Sequence, residues 1–338
     1  MIKISKKLEN KLSNYNFIDL FAGIGGFRLA LESFGGKCVF TSEWDKHCQN
    51  IYEINYGERP LGDITKIKEK TIPNHDILCA GFPCQAFSIS GKQRGFEDTR
   101  GTLFFDIARI VKYHKPKLLI LENVKNFEKH DSGKTLDKVI KTLSSLGYLI
   151  KYKVLNASRF GVPQSRKRIF IICVSKRFRH NFKKFEIPES NKEYSNLNNL
   201  LISDDEVDKK CFSREFDVKH LIEKENSIKP NLFGLYNQKP IRIGTINKGG
   251  QGERIYSTKG HSITLSAYGG GVFSKTGGYL INNKVRKLDP RECARVTGFP
   301  DSYILDDNIH QNWKQFGNSV VVNVVQEIIK RLIQFDVI

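Results

Sequence analysis

The 338-residue sequence lacks several features that would assign it to common protein classes. No apolar run approaches the ~18 residues of a membrane-spanning helix, and the first residues, MIKISKKL, lack the apolar centre of a signal peptide. Seven cysteines form an odd set without a Cys-x-x-Cys pair, which argues against a disulfide framework and against a zinc site. We therefore expect reduced intracellular thiols and no bound metal.

Acidic residues are also scarce, since 36 Asp and Glu stand against 55 Lys and Arg, a net charge of +19. This excess predicts a polyanionic partner, nucleic acid before an anionic membrane, although solubility is the plainer explanation. Between positions 239 and 300 there are 11 Lys and Arg against 3 Asp and Glu. Ten glycines lie between Gly244 and Gly278, and glycine lets a backbone approach phosphates closely.

The first half of the chain alternates strand and helix patterns. Strands are predicted near 17–20, 37–42, 62–65, 76–81, 118–124, 149–156 and 168–174, with helices near 27–31, 46–56, 102–113 and 134–146. This alternation predicts an α/β fold with a doubly wound, mostly parallel, seven-stranded sheet. Ligands bind such sheets at the carboxyl ends of strands, where Phe21, Glu43, Asp63, Cys84 and Glu122 all fall.

The first strand runs into a glycine turn at residues 23–26. It is not the dinucleotide fingerprint, because the third glycine of G-x-G-x-x-G would fall on Arg28. This disfavours a nicotinamide dehydrogenase and favours a cofactor without a pyrophosphate. Glu43 stands about 20 residues later, where such folds place a carboxylate on ribose hydroxyls. A surface acid that begins the next helix would look the same.

A buried apolar strand breaks at Phe82-Pro83-Cys84. Proline fixes its own φ and pushes Phe82 into the extended region, so the sequence predicts a stiffly aimed backbone ahead of Cys84. A cysteine presented in this way at a strand end is a candidate nucleophile. Taken alone, it could equally be an ordinary small loop residue.

Six stretches in this order resemble the motifs of one family, the cytosine-C5 DNA methyltransferases. They are Asp19-Leu20-Phe21-Ala22-Gly23-Ile24-Gly25-Gly26, Gly81-Phe82-Pro83-Cys84-Gln85, Glu122-Asn123-Val124, Gln164-x-Arg166-x-Arg168, Arg291-Glu292-x-Ala294-Arg295-x-x-Gly298-Phe299-Pro300 and Gln315-Phe316-Gly317-Asn318-Ser319. The resemblance is greatest to the bacterial branch that modifies GCGC sites, and it is weakest between about 176 and 238. It implies a catalytic and cofactor-binding domain at 1–178, a smaller target-recognition domain of strands and loops at 179–290, and a return segment at 291–338. The last of these carries a closing helix, predicted from apolar residues at every fourth position, that packs on the catalytic domain.

The resemblance also implies a covalent mechanism. Cys84 would add to carbon 6 of cytosine, and Glu122 would supply a proton or a strong hydrogen bond at ring N3. Arg166 and Arg168 would clamp the base and nearby carboxylates, although a plain basic strand edge is the alternative. A stacked base cannot receive both a thiolate and a methyl group, so the target has to rotate out of the duplex.

The implied methyl donor is S-adenosylmethionine, with S-adenosylhomocysteine as the product. The residues expected to hold it are Phe21, Gly23, Ile24, Gly25, Gly26, Glu43, Trp44, Asp63, Ile64, Pro83, Leu103, Asn318 and Ser319. Aromatic faces and a carboxylate for vicinal hydroxyls suit this molecule. For Trp44, ordinary packing explains the residue as well.

The residues expected at double-stranded DNA are Ser88, Ser90, Lys92, Arg94, Gln251, Arg254, Thr264 and Tyr268. The first four lie in a Gly-containing stretch that is typical of a mobile loop. Arg254 suits bidentate contact with guanine, whereas Thr264 and Tyr268 could equally scaffold a turn.

We expect a monomeric enzyme of the bacterial cytoplasm, associated with the nucleoid through DNA, that protects the sites of a cognate restriction endonuclease. Two alternatives remain open from the sequence. One is a tRNA cytosine-C5 methyltransferase, and the other is a catalytically inactive DNA-binding relative.

Overall fold

The computed structural model describes residues 4–83, 103–190, 196–212, 217–232, 236 and 238–338. Its contacts divide the chain into two units. The larger unit comprises Lys3–Leu155, Lys167–Glu189 and Val325–Ile338, and the smaller unit comprises mainly Asn156–Arg166 and Ser190–Val324. The domain boundaries expected at 178 and 290 stay a prediction.

A six-stranded sheet forms the centre of the larger unit within the described residues. Its strands are β1 Asn16–Leu20, β2 Lys37–Ser42, β3 Ile77–Gly81, β4 Leu118–Val124, β5 Tyr148–Asn156 and β6 Lys167–Ser175, in the order β2-β1-β3-β4-β6-β5. β2, β1, β3 and β4 run parallel, and β6 is antiparallel to β4. The α/β class and the mostly parallel sheet are confirmed.

The helices of this unit cover the sheet with apolar faces. They are α1 Gly26–Glu32, α2 Lys46–Tyr56, α3 Leu103–His114, α4 Lys134–Ser145 and the short α5 Arg179–Phe182. Ile107 and Val111 of α3 and Val139 of α4 are buried in one core with the strand residues Leu78 and Leu119. The i, i+4 spacing of Ile107 and Val111 places both side chains on one face of α3. This is why the period of apolar residues in the sequence predicts such a helix.

The expected strand at 62–65 is wrong, and the sheet has six strands in the described residues rather than seven. A 3₁₀ turn, Ile64–Lys66, stands there instead. The Asp63 carboxylate accepts hydrogen bonds from the Thr65 N–H (3.0 Å) and hydroxyl (2.8 Å). Such a local cap competes with strand pairing. Within the part of the chain that the structure describes, an isolated bridge between Ser42 and Leu61 is all that extends the sheet on this side.

The smaller unit has its own four-stranded sheet and core. Its strands are β7 Ile241–Thr245, β8 Arg254–Ser257, β9 Gly278–Ile281 and β10 Lys284–Arg286, in the order β10-β9-β8-β7, and its helices are α6 Lys219–Ser227, α7 Pro290–Thr297 and α8 Ile309–Asn318. Leu221, Ile243, Ile255, Phe273 and Leu280 meet in the core.

The last helix, α9, runs from Val322 to Gln334, and residues 325–338 belong to the larger unit. Within that unit the Gln326 amide donates a hydrogen bond to the Ser33 hydroxyl (3.0 Å), and Phe335 packs edge-on against Phe185. No helix among the described residues has the length and apolarity needed to cross a bilayer.

A buried ion pair organises the smaller unit. The Arg286 guanidinium makes two hydrogen bonds, of 2.8 and 2.7 Å, with the Glu292 carboxylate, and both side chains are fully buried. The same carboxylate accepts from the N–H groups of Asp289 (2.8 Å) and Ile202 (3.1 Å). The Glu292 carboxylate therefore caps the start of α7 and joins the loop at Ile202 to this helix.

Replacing Glu292 by Ala should destabilise the protein by about 3–5 kcal/mol, because Arg286 is left as a buried charge without its partner. Urea unfolding measures the loss. The matched control is Asp301→Ala, which removes the partly exposed pair with Arg295 (2.8 Å) and should change stability by no more than about 1 kcal/mol. Equal effects of the two variants would contradict the assigned role of Glu292.

Candidate active site and nucleic-acid interface

The register of the large sheet brings polar residues to its carboxyl edge. Leu20 of β1 lies opposite Ser42 of β2 and Ala80 of β3, and Gly81 of β3 lies opposite Glu122 of β4. Phe21 and Glu43, which follow β1 and β2 directly, therefore leave the sheet at the same edge as Glu122. This is the edge at which doubly wound sheets bind ligands.

Glu43 is the best-defined side chain at this edge. Its carboxylate accepts hydrogen bonds from the N–H groups of Gly23 and Asp45, both at 2.8 Å, so it joins the glycine turn to the start of α2. Burial raises the pKa of Glu43 above the usual glutamate value, against the effect of these N–H donors. The carboxylate is thus oriented in a largely dry environment.

The neighbours of Glu43 leave room for a ligand. The side chain of Trp44 is 76% exposed, which sets aside the packing explanation of this residue. A Cβ added at Gly23 would meet no atom within 4 Å, so the turn faces open space. A buried carboxylate, a free aromatic face and an open glycine turn together fit a nucleoside.

The remaining residues expected at the cofactor are distributed over both units. Phe21 has a positive φ of 56° in the turn, and Ile64 is buried beside the Asp63 cap. Pro83 is exposed and Leu103 half-buried. Ile24, Gly25 and Gly26 are buried in the turn and the start of α1, whereas Asn318, which is exposed, and Ser319, which is buried, belong to the smaller unit.

Glu122 and Arg168 form an ion pair at the end of β4. The Arg168 Nε lies 3.1 Å from a carboxylate oxygen of Glu122, and both side chains are largely buried. The adjacent Asn123 amide donates a hydrogen bond to the Phe82 carbonyl (2.9 Å). One short stretch of β4 therefore positions an acid and holds the backbone that leads to Pro83.

Five residues predicted at this site lie outside the described residues. They are Cys84, Ser88, Ser90, Lys92 and Arg94.

Arg166 lies in the smaller unit, where it bonds to main-chain carbonyls. Its guanidinium donates to Leu265 (2.9 Å), Gly317 (3.0 Å) and Ser319 (2.7 Å), and the residue is 2% exposed. These partners are about 100 to 150 residues away in sequence. No local pattern signals such contacts, and sequence reasoning missed them.

Two glycine-rich loops of the smaller unit, 249–254 and 264–271, pack against each other. The Phe273 N–H donates to the Gly252 carbonyl (2.8 Å), and a Cβ at Gly252 would overlap the Gly270 carbonyl oxygen. The Glu253 carboxylate accepts from the Gly250 N–H (2.9 Å) and closes the first loop. Only glycine permits this close backbone approach.

The candidate DNA-contacting residues of these two loops differ in how far their side chains are exposed. Tyr268 is 75% exposed and Gln251 is exposed, whereas Arg254 is half-buried at the start of β8. The Thr264 hydroxyl donates to the Ser165 carbonyl (2.5 Å), which is a scaffolding contact. Gly317 packs against the second loop, and a Cβ at Gly317 would overlap the Ser266–Ala267 peptide. Sequence reasoning missed this contact.

The fold and these sites define an α/β enzyme with a nucleoside-type cofactor site and a basic, glycine-rich loop unit. Residues 15–334 match the family model described as C-5 cytosine-specific DNA methylase. The chain belongs to this family. It is therefore a DNA cytosine-C5 methyltransferase, an enzyme that acts on DNA with S-adenosylmethionine, as C5 methyltransferases do.

Named relatives agree with this family over nearly the whole chain. Type II methyltransferase M.HhaI of Haemophilus parahaemolyticus is 56% identical over 97% of this chain and 96% of its own length. Type II methyltransferase M.HpaII of Haemophilus parainfluenzae is 42% identical over 96% and 91%. These names are consistent with a methyltransferase of a restriction-modification system.

Solved structures share the fold at low sequence identity. The S. pombe Dnmt2 methyltransferase has a TM-score of 0.65 at 18% identity, over 95% of this chain and 98% of its own. The Entamoeba histolytica methyltransferase EhMeth has a TM-score of 0.66 at 20% identity, over 95% and 98%.

Proposed function

We propose that this enzyme methylates carbon 5 of a cytosine in GCGC sites of duplex DNA through a covalent adduct with Cys84. The observation that supports it is the arrangement at the end of β4. There Glu122 is paired with Arg168, and Asn123 holds the Phe82 carbonyl two residues before the cysteine. An acid and the approach to a nucleophile are thus positioned by adjacent residues.

The chemistry begins with the thiolate of Cys84. It adds to carbon 6 of the everted cytosine, and the ring electrons move toward N3, where Glu122 supplies a proton or a strong hydrogen bond. The nearby Arg168 guanidinium keeps the carboxyl group oriented and balances its charge when it is ionised. Carbon 5 then has enamine character and becomes nucleophilic.

S-adenosylmethionine, when bound, supplies an electrophilic methyl group for carbon 5. The later events return the enzyme to its starting state. A base, for which water suffices, removes the proton from carbon 5, and the electron pair of that C–H bond restores the double bond as the carbon–sulfur bond breaks. A proton supplied at N3 returns to Glu122. Cys84 leaves as the thiolate.

The residues at the sheet edge fit the cofactor. Glu43 would accept hydrogen bonds from the ribose hydroxyls, and Trp44 and Phe21 would contact the adenine. Asp63, Ile64, Pro83 and Leu103 would line the remainder, with the turn at 23–26 and Asn318-Ser319 at the methionine end. The open space at Gly23 and the exposed Trp44 ring support this assignment.

DNA recognition is assigned to the two glycine-rich loops and to the stretch 88–94. Arg254 would contact guanine O6 and N7, and Tyr268 would contact DNA from the second loop, with Thr264 as its scaffold. Gln251 and Ser90 would approach the space that the rotated cytosine leaves in the base stack. Ser88, Lys92 and Arg94 would contact the DNA strand around that space. Arg166 acts as a positioning residue, because three carbonyls occupy its guanidinium.

The biological setting is part of the proposal. The enzyme would act as a monomer in the cytoplasm of a bacterium, with the nucleoid as its site of action. Its methylation would protect GCGC sites from a cognate restriction endonuclease, which need not bind it.

A DNA duplex with 5-fluorocytosine at the target should trap the enzyme when S-adenosylmethionine is present, because fluorine blocks the release of Cys84. Denaturing gel electrophoresis and peptide mapping detect the adduct. Cys84→Ser should give none, and Cys79→Ser, at a buried thiol of β3, is the matched control and should still be trapped. Trapping of the Cys84→Ser variant would refute the mechanism.

Cofactor affinity should fall as the pH is lowered from 8 toward 5, with a midpoint above the ordinary glutamate pKa of about 4.5, because burial raises the pKa of Glu43 and protonation removes an acceptor. Calorimetric titration with S-adenosylhomocysteine measures this. Glu43→Gln should weaken binding about tenfold at pH 8, through one lost hydrogen bond, and flatten the profile.

The control for this titration is Asp19→Asn. Asp19 is also buried with a raised pKa and is influenced by Glu43, so the variant separates the two carboxyl groups. An unchanged pH profile in Glu43→Gln, or a flat one in Asp19→Asn alone, would count against Glu43 as the ribose ligand.

Bisulfite sequencing of a plasmid from cells that express the enzyme should place methylation at a cytosine of GCGC. Concentration at another sequence would show that the segment near 176–238 resets specificity. Parallel incubation with duplex DNA and tRNA should show preference for the duplex.

A further inference from the structure

In addition to the residues discussed above, the smaller unit carries a basic cluster formed by Lys275, Lys287 and His310. The Lys275 ammonium donates a hydrogen bond to the His310 carbonyl (3.1 Å). The Lys287 ammonium lies 4.4 Å from the centre of the Trp313 ring, and the His310 ring packs edge-on against the same indole at 5.3 Å. Trp313 is buried, so its indole provides a fixed surface for Lys287 and the His310 ring.

The positive charge of this cluster is not neutralised by its surroundings. In the part of the chain that the structure describes, neither the Lys275 nor the Lys287 ammonium pairs with a carboxylate. Burial lowers the pKa of both lysines, and a further ammonium group adds to each effect, Lys314 for Lys275 and Lys275 for Lys287. Gathering like charges in this way is unfavourable unless an anion joins them.

His310 experiences the same surroundings. Burial is the largest of the effects that lower the pKa of His310. The positive charges of Lys275, Lys287 and Lys210 lower this pKa further, whereas Asp208 raises it. These effects favour the neutral form of the imidazole. A neutral imidazole donates one N–H, which suits a phosphate oxygen.

Lys275 also has an unusual backbone. Its φ is +77°, in the left-handed region that glycine adopts readily and lysine rarely does. Such a conformation costs of order 1–3 kcal/mol and persists where the surrounding structure imposes it. A lysine at a position better suited to glycine points to a role for the ammonium group.

The cluster is continuous with the second glycine-rich loop. The Ser266 N–H donates to the Lys275 carbonyl (2.9 Å), two residues before the exposed Tyr268. The backbone of Lys275 is therefore joined directly to the loop that carries Tyr268. A DNA duplex presents a phosphate about every 3.4 Å of helix axis on each strand, and contacts to phosphates fix the register of a base-reading loop.

We infer that Lys275, Lys287 and His310 bind a phosphodiester of the DNA backbone that flanks the site read by the glycine-rich loops. This inference rests on the proposed function of those loops. Lysine is a compact point charge that suits phosphate, and the Trp313 ring limits the positions of Lys287. The contacts add affinity without adding sequence information.

The salt dependence of DNA binding tests the inference. Fluorescence anisotropy with the full chain, S-adenosylhomocysteine and a labelled GCGC duplex gives the slope of log K against log salt concentration. The slope should be about 1 unit shallower in Lys287→Gln and about 2 units shallower in Lys275→Gln/Lys287→Gln. Affinity for a duplex without the site should fall by the same factor.

Two further variants separate charge from structure. Lys259→Gln is the matched control, because this ammonium also donates to a carbonyl, that of Glu225 (2.7 Å), and lies over a tyrosine ring in the same unit. It should leave the slope unchanged. Lys287→Arg keeps the charge and should keep the wild-type slope, which excludes a folding defect as the cause.

Two outcomes would overturn the inference: an unchanged slope in the double variant, or a loss confined to the GCGC duplex, which would assign the lysines to loop positioning. Failure of the wild-type chain to prefer GCGC would instead refute the proposed reading function, whereas the slopes on the unspecific duplex would still decide the phosphate contact.

Discussion

One glycine-rich loop of the smaller unit depends on a buried cation. The Arg166 guanidinium donates hydrogen bonds to the carbonyls of Leu265, Gly317 and Ser319, so this loop and the end of α8 are joined through one side chain. Hydrogen bonds from a charged group contribute about 1.5–3 kcal/mol each. Without this donor, three carbonyls in a buried region would lose a charged partner. The geometry of the loop therefore follows from a residue that does not belong to it.

In the larger unit, too, a single side chain joins two main-chain segments, in this case the carboxylate of Glu43. It accepts from Gly23 in the first turn and from Asp45 at the start of α2. These bonds orient the carboxylate and lower its pKa, whereas burial, the larger effect, raises it. A Cβ at Gly23 would meet open space beside them. Preorganisation of this kind reduces what a ligand must order when it binds.

In the larger unit, local patterns were sufficient for the α/β order, most element bounds and the placement of Phe21, Glu43 and Glu122 at the carboxyl edge, because helix and strand periods follow from burial on one face. They failed at 62–65, where the Asp63 side chain caps a turn in place of strand pairing. They also could not supply the carbonyl partners of Arg166 or the contact of Glu292 with Ile202, because those contacts join segments about 90 to 150 residues apart. Long-range pairing has no period in sequence.

Two arginines from one Q-x-R-x-R motif consequently have different surroundings. Arg168, within β6, pairs with Glu122 at the end of β4, whereas Arg166 precedes the strand and bonds to main-chain carbonyls. The family resemblance implied one task for both, the clamping of the base and of nearby carboxylates. In the structure β6 begins at Lys167, so Arg168 lies within the strand and Arg166 lies before it. An arginine with carbonyl partners joins main-chain segments, and an arginine paired with an acid orients a carboxylate, so two residues of one motif make different kinds of contact.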